Sequence, residues 1–401
     1  MSLRYVGSWL QDGAFNPLTA PTGSPYLQYG GIWTTDQATN AVASGTWAVP
    51  PTPKLFSWGG DNFGALGLEN ITSYSSPKQV GSLTNWSVIN GNAYYSTAIK
   101  TDGTLWSWGR NQQGQLGLGN TTYYSSPKQV GSLTNWLKIT GNYHSLAIKT
   151  DGTLWSWGRN SYGQLGLGNT TYYSSPMQVG SLTNWSIITA GTNSSYAIKA
   201  DGTLWAWGYN AQGQLGLGNI TVYSSPKQVG SLTNWLNISS RGFSILTIKT
   251  DGTLWSWGQN GQGQLGLGSI TNYSSPKQVG SLTTWNVITV GYTQGFGIKT
   301  DGTLWSWGSN TNGTLGLGNI TKYSSPKQVG SLTNWLSASS GQYQVASIKT
   351  DGTLWSWGQN ANGKLGLGNT TTYSSPKQVG SLTTWSSVSC GFYHDLAIAK
   401  T

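Results

Sequence analysis

The chain has one glutamate, Glu69, one cysteine, Cys390, and two histidines, His144 and His394, among 401 residues. A lone thiol excludes an intrachain disulfide. Two imidazoles and one thiol are too few for a metal site of converging ligands. Proton-transfer catalysis needs titratable groups in paired roles, and the remaining acids are aspartates, most of them explained by a recurring turn. The Cys390–His394 spacing of four is compatible with a nucleophile pair, but a small buried thiol is the simpler reading. Charged residues make up only 8% of the chain. No apolar run follows Met1-Ser2-Leu3-Arg4, so no ordinary signal peptide is expected, and no apolar stretch of about 18 residues exists to insert in a membrane. The glycines do not lead into a helix, which argues against a phosphate-binding loop. No catalytic residue, cofactor or metal is therefore expected.

What is abundant is glycine (57), tryptophan (23) and tyrosine (21). This is too aromatic for a disordered chain and ample for a large core. The formal charge of +10 is spread by repetition. Lys78, Lys128, Lys227, Lys277, Lys327 and Lys377 form one set, and Lys100, Lys149, Lys199, Lys249, Lys299 and Lys349 another. Asp102, Asp151, Asp201, Asp251, Asp301 and Asp351 recur likewise. A nucleic-acid binder more often clusters its cations, so nucleic acid is not the expected partner.

A Trp-Gly pair recurs at Trp58, Trp108, Trp157, Trp207, Trp257, Trp307 and Trp357, with steps of 49 or 50 residues. Within the unit, Leu105-Trp106-Ser107-Trp108 alternates as a strand. Ala147-Ile148-Lys149 and Leu154-Trp155-Ser156-Trp157 flank an Asp-Gly pair, the strongest short hairpin signal. A Ser-Ser-Pro turn at Pro127 is read as starting the Gln129-Val130 segment. About four short strands per 50 residues is one propeller blade. Six Asp-Gly hairpins are intact and the seventh is cut by the chain ends. Strand 55–58 should therefore pair with 396–400, closing an all-β, seven-bladed propeller without exposed sheet edges at the seam. The predicted organisation is an N-terminal arm, 1–53, and a propeller, 54–401.

The block DG-x-L-W-x-W-G-x-N-x-x-G-Q-L-G-L-G, with His144-Ser145-Leu146-Ala147-Ile148 after a later glycine, resembles the regulator of chromosome condensation repeat. The resemblance covers 54–401 and implies a seven-bladed propeller. The family includes a guanine-nucleotide exchange factor that binds chromatin, alongside scaffold and recognition proteins. The exchange factor's activity is linked to one propeller face and a protruding insertion. No blade here has room for an insertion, so exchange activity is not carried over.

Copies differ in three windows. One follows Trp-Gly (Arg110, Arg159, Tyr162, Tyr209). A second follows Leu-Gly-Leu-Gly (Ser73, Tyr123, Tyr172, Val222, Asn272, Lys322, Thr372). The third precedes the Ile-Lys strand and supplies Tyr94, Tyr95, Tyr143, His144, Asn193, Arg241, Phe243, Tyr292, Gln294, Tyr343, Phe392, Tyr393 and His394. Rigid aromatics among short polar groups suit adaptable recognition. The third and first windows are thus expected to line one binding face, with neutral drift at exposed loops as the alternative. Leu116-Gly117-Leu118-Gly119 and its copies are read as structural, and Asn120-Thr121-Thr122 as a polar turn, not a glycan acceptor.

Residues 1–53 hold Tyr5, Trp9, Phe15, Tyr26, Tyr29 and Trp33, broken by prolines, and read as a docking arm for other subunits of a larger assembly. The resulting expectation is a non-enzymatic protein displayed on a virion or extracellular surface (a phage tail or capsid component), binding a cell-surface protein or glycan. The alternatives are a bacterial adhesin or carbohydrate-binding module, and a cytoplasmic interaction scaffold or exchange factor.

Overall fold

The computed structural model describes residues 52–400 and, nearer the N-terminus, the two-residue strands Arg4–Tyr5 and Trp33–Thr34, which pair antiparallel. The chain divides into two units, Met1–Thr52 and Pro53–Thr401. The remaining proposed arm residues, Trp9, Phe15, Tyr26 and Tyr29, lie outside the described residues.

The second unit is a seven-bladed propeller, each blade a four-stranded antiparallel sheet. Blade one comprises Trp86–Gly91, Tyr95–Lys100, Leu105–Gly109 and Tyr124–Gln129. Blades two to six repeat it over 136–178, 185–228, 235–278, 285–328 and 335–378. The first strand of every blade touches the first strand of the next, and the last of these, Trp385–Cys390, returns to Trp86–Gly91. These strands are innermost and the ring is closed.

Blade seven is the shared one. Trp385–Cys390 and His394–Lys400 come from one end of the chain, and Pro53–Gly59 and Tyr74–Thr84 from the other. Their register, Pro53↔Lys400 to Gly59↔His394, replaces the missing hairpin.

Blade-to-blade packing explains the invariant tryptophans. Trp157 is fully buried and donates Nε1–H to the Gln115 carbonyl of the preceding blade at 2.9 Å. All seven copies make this bond, including Trp58 to Lys364, which ties the two ends of the propeller chain together. Phenylalanine could fill this space but not satisfy the buried carbonyl. Gly117, at φ +74°, lies where a β-carbon would come within 2.7 Å of Trp157 Nε1, so the Leu-Gly-Leu-Gly run is indeed structural.

One expectation is corrected. Ser125-Ser126-Pro127 does not form a turn; it lies inside Tyr124–Gln129, the outermost strand. That strand is an edge, where proline's missing N–H faces solvent at no cost to the ladder. The exposed Lys128 beside it guards the same edge against pairing with another sheet.

Candidate recognition face

The register of each blade brings all three variable windows to one end. Tyr95 pairs with Gly109 and Gly109 with Tyr124, so the start of the second strand, the end of the third and the start of the fourth coincide. The opposite end carries the Asp-Gly hairpins.

Within the third window, alternation along the strand sorts residues into two groups. Tyr94, Tyr143, Asn193, Phe243, Tyr292, Tyr343 and Tyr393 are half-buried with a surface toward the face. Phe392 is buried at the hub, and Tyr95, His144, Gln294 and His394 are likewise buried and do not belong to the face. The latter four begin the second strand, and their side chains point into the seams between blades. His144 Nε2 lies 2.7 Å from Ser195 Oγ, His394 Nε2 lies 2.8 Å from Ser96 Oγ, and the Tyr95 hydroxyl lies 2.9 Å from Ser145 Oγ. Each serine in turn donates to a backbone carbonyl of the seam. Desolvation holds both imidazoles neutral, with pKa values lowered to about 3.

At the hub, Arg241 leaves the end of its strand in blade four and crosses to blades six and seven. Its Nη1 donates to the carbonyls of Ser340 and Cys390, both at 2.7 Å. Burial lowers its pKa to about 10, still a cation at neutral pH. Phe392 sits over this guanidinium, 5.3 Å away, and touches Tyr94, Tyr143 and Tyr292 at 6.0–6.2 Å.

From that hub, aromatic contact continues outward. Phe392 meets Tyr94, Tyr94 meets Phe63 at 5.5 Å, and Phe63 meets the exposed Tyr123 at 5.9 Å. Arg110 lies against both Phe63 and Tyr94, and Arg159 against Tyr143. A second run joins Phe243, Tyr209 and Tyr162 at 5.7 and 4.7 Å. Of the sequence-selected residues, Asn193 stands outside these aromatic runs, and Tyr343 is held near Lys364 instead.

Beneath the face lies a buried set that the sequence reading did not select. The Asp395 carboxylate accepts from Gln344 Nε2 at 3.1 Å; burial raises its pKa to about 7. Lys364 Nζ donates to Gln359 Oε1 at 2.8 Å, and burial lowers its pKa to about 8. The Cys390 thiol donates to Ser339 O at 3.3 Å, and burial pushes its pKa up. It is buried and stays protonated at neutral pH. Among the described residues no cluster of His, Cys, Asp or Glu could hold a metal ion. Asn120 forms an Asx turn, its Oδ1 accepting from Thr122 N at 2.9 Å.

A closed ring of seven four-stranded antiparallel blades defines a seven-bladed β-propeller. The chain belongs to the regulator of chromosome condensation (RCC1) repeat family, whose repeat matches residues 54–99, 102–148, 151–198, 201–240, 251–296, 301–348 and 351–398. No curated protein sequence matches it. Human WBSCR16 has the same fold, at 23% identity and TM-score 0.79, covering 87% of this chain and 99% of that one. Yeast Prp20p, in a structure described with its binding properties to Gsp1p and histones, aligns at 19% identity and TM-score 0.78, covering 88% and 92%. Yeast RCC1 (Prp20), in a structure with Kap60 bound, aligns at 20% identity and TM-score 0.79, covering 88% and 90%. At these identities the solved structures speak for the fold alone.

Proposed function

We propose that this protein is a non-enzymatic protein-interaction module that takes its partner on the window face. The observation that carries the reading is the unbroken aromatic contact from Tyr143 through Tyr94 and Phe63 to the exposed Tyr123, lined by Arg110 and Arg159. Tyrosine, phenylalanine and arginine are the residues that concentrate binding energy at protein interfaces. Protein partners named for the yeast relative agree with such a role.

An interaction scaffold is favoured over display on a particle by the seven family repeats and by the protein partners named for the yeast relative. A guanine-nucleotide exchange role is the alternative reading; acceleration of nucleotide release from a small GTPase would establish it.

The test is affinity capture with three forms of the full chain: native, Tyr94→Ser with Tyr393→Ser, and Leu133→Ser. Leu133 is exposed in the loop between the outermost strand of blade one and the innermost strand of blade two. Capture that is lost in the tyrosine variant and kept in Leu133→Ser supports the reading. The reverse pattern overturns it.

A further inference from the structure

The recurring elements of the propeller are close to sevenfold, yet the face is not. Its cations and aromatics concentrate where blades seven, one and two meet. Along Tyr143, Tyr94, Phe63 and Tyr123, adjacent rings meet at 50°, 87° and 80°. Tilted and edge-to-face rings leave clefts between them and no flat platforms. Stacked bases or sugar rings need flat, separately accessible ring faces, whereas apolar side chains fit clefts.

The charge of this quarter is one-sided. Arg110 Nη2 donates to Gln112 Oε1 at 2.6 Å and Arg159 Nε to Ser161 Oγ at 3.3 Å, so neither guanidinium is paired with a carboxylate among the described residues. The two nearby carboxyls are turned inward and fully buried: Asp61 accepts from Leu66 N, and Asp395 from Gln344. Both carboxyls are spent on these inward bonds, so the charged groups lying against the rings of the face are the two guanidiniums. An unpaired guanidinium held against an aromatic ring keeps its edge open for bidentate bonding to a carboxylate.

We infer that the partner of this face is an extended protein segment alternating acidic and large apolar residues, lying along the track from Tyr143 through Tyr94 and Phe63 to Tyr123 with its carboxylates on Arg110 and Arg159. The three ring-to-ring steps span at most about 18 Å, roughly five residues of extended chain. This rests on the proposed function and names the partner's chemistry.

The experiment measures fluorescence anisotropy of a labelled peptide alternating glutamate and phenylalanine, against the full chain at physiological salt. A lysine–phenylalanine peptide and oligodeoxythymidine are the comparison probes. Arg110→Gln and Arg159→Gln should each weaken the acidic peptide about 10-fold or more, and Lys128→Gln, an equal charge change on the outer edge strand of blade one, less than about twofold. The inference is overturned by no binding of the acidic peptide, by equal binding of the lysine peptide, by equal weakening in Lys128→Gln, or by tighter binding of oligodeoxythymidine at the same residues. Panning a random peptide library separates this from the parent reading. Selected peptides that lose binding to Tyr94→Ser yet carry no acidic excess would leave the face in place and sink the acidic partner.

Discussion

The two ends of the blades solve different problems with the same strands. At the hairpin end one arrangement recurs in six blades. Asp151 Oδ1 accepts from Thr153 N and Oγ1 at 2.9 and 2.6 Å, and Trp155 Nε1 donates to Thr153 Oγ1 at 2.9 Å. Lys149 Nζ lies 3.7 Å from the Trp155 ring and 4.9 Å from Trp136. Every group there answers a backbone demand of its own turn, so the solution is the same each time. At the window end each side chain is met by the neighbouring blade. Only pairwise compatibility is required, and Tyr95–Ser145, His144–Ser195 and Gln344–Asp395 all satisfy it. An end governed by local geometry stays uniform, and an end governed by neighbours can vary and specialise.

The largest expected break in this comparison comes at the hairpin end. Gly152 has φ +76° and a β-carbon there would overlap the Thr183 carbonyl. Gly152→Ala should cost about 3 kcal/mol or more in urea unfolding. Gly131→Ala, at φ +62° with nothing near its β-carbon, should cost only about 1–2 kcal/mol. Equal losses would show that strain, and not the clash, governs these turns.

Next in size is Arg241→Met. It leaves the Ser340 and Cys390 carbonyls without their charged donor, a loss of roughly 2–3 kcal/mol. It should also loosen Phe392, read as a change in tyrosine and tryptophan fluorescence. An unchanged melting temperature would mean that the hub does not need its strut.

Asp395→Asn gives a smaller, pH-dependent effect. The folded protein holds the Asp395 proton more tightly than the unfolded chain, because burial raises the pKa from 3.8 to about 7. The stability this group contributes is complete below the unfolded value and is lost as pH rises through about 7. Lys364 and Arg241 temper the cost of its charge. The variant should therefore gain on the native protein as pH rises from about 5 to about 8. His144 and His394 carry the opposite sign, since their lowered pKa values remove stability as pH falls from 6.5 toward about 3. Comparing both proteins at the same pH cancels them. A difference independent of pH would contradict a raised Asp395.

The smallest effect is Thr153→Val, which severs one copy of the Asp–Thr–Trp chain and should cost about 1 kcal/mol. A loss spreading to hydrogen exchange in other blades would argue against the local character of this end.

Blade number and closure were legible in the sequence because seven Trp-Gly pairs and one cut hairpin leave little choice. The face was legible only in outline. Tyr95, His144, Gln294 and His394 were placed on it in error, since a strand alternates and a window that ends one residue inside it includes inward-pointing side chains. Pro127 was misplaced because proline marks turns and edge strands alike. Asp395 and Lys364 were missed, although both break their columns: the positions matching 395 read Ser96, Ser145, Ser195, Ile245, Gly295 and Val345, and those matching 364 read Ala65, Gln115, Gln164, Gln214, Gln264 and Thr314. A departure within an otherwise uncharged column was the available signal.

Periodicity, strand alternation and turn chemistry are properties of short stretches. For that reason the sequence alone determined a closed ring of seven blades, a uniform hairpin end and a windowed end. The company each window keeps is a property of closure in space. Phe392 meets Tyr94 and Arg241 only because blade seven is built from both ends of the propeller and returns to blade one. The track from hub to rim, the strut across the hub and the buried Asp395 were therefore decided by tertiary structure, where residues hundreds of positions apart come within a few ångströms.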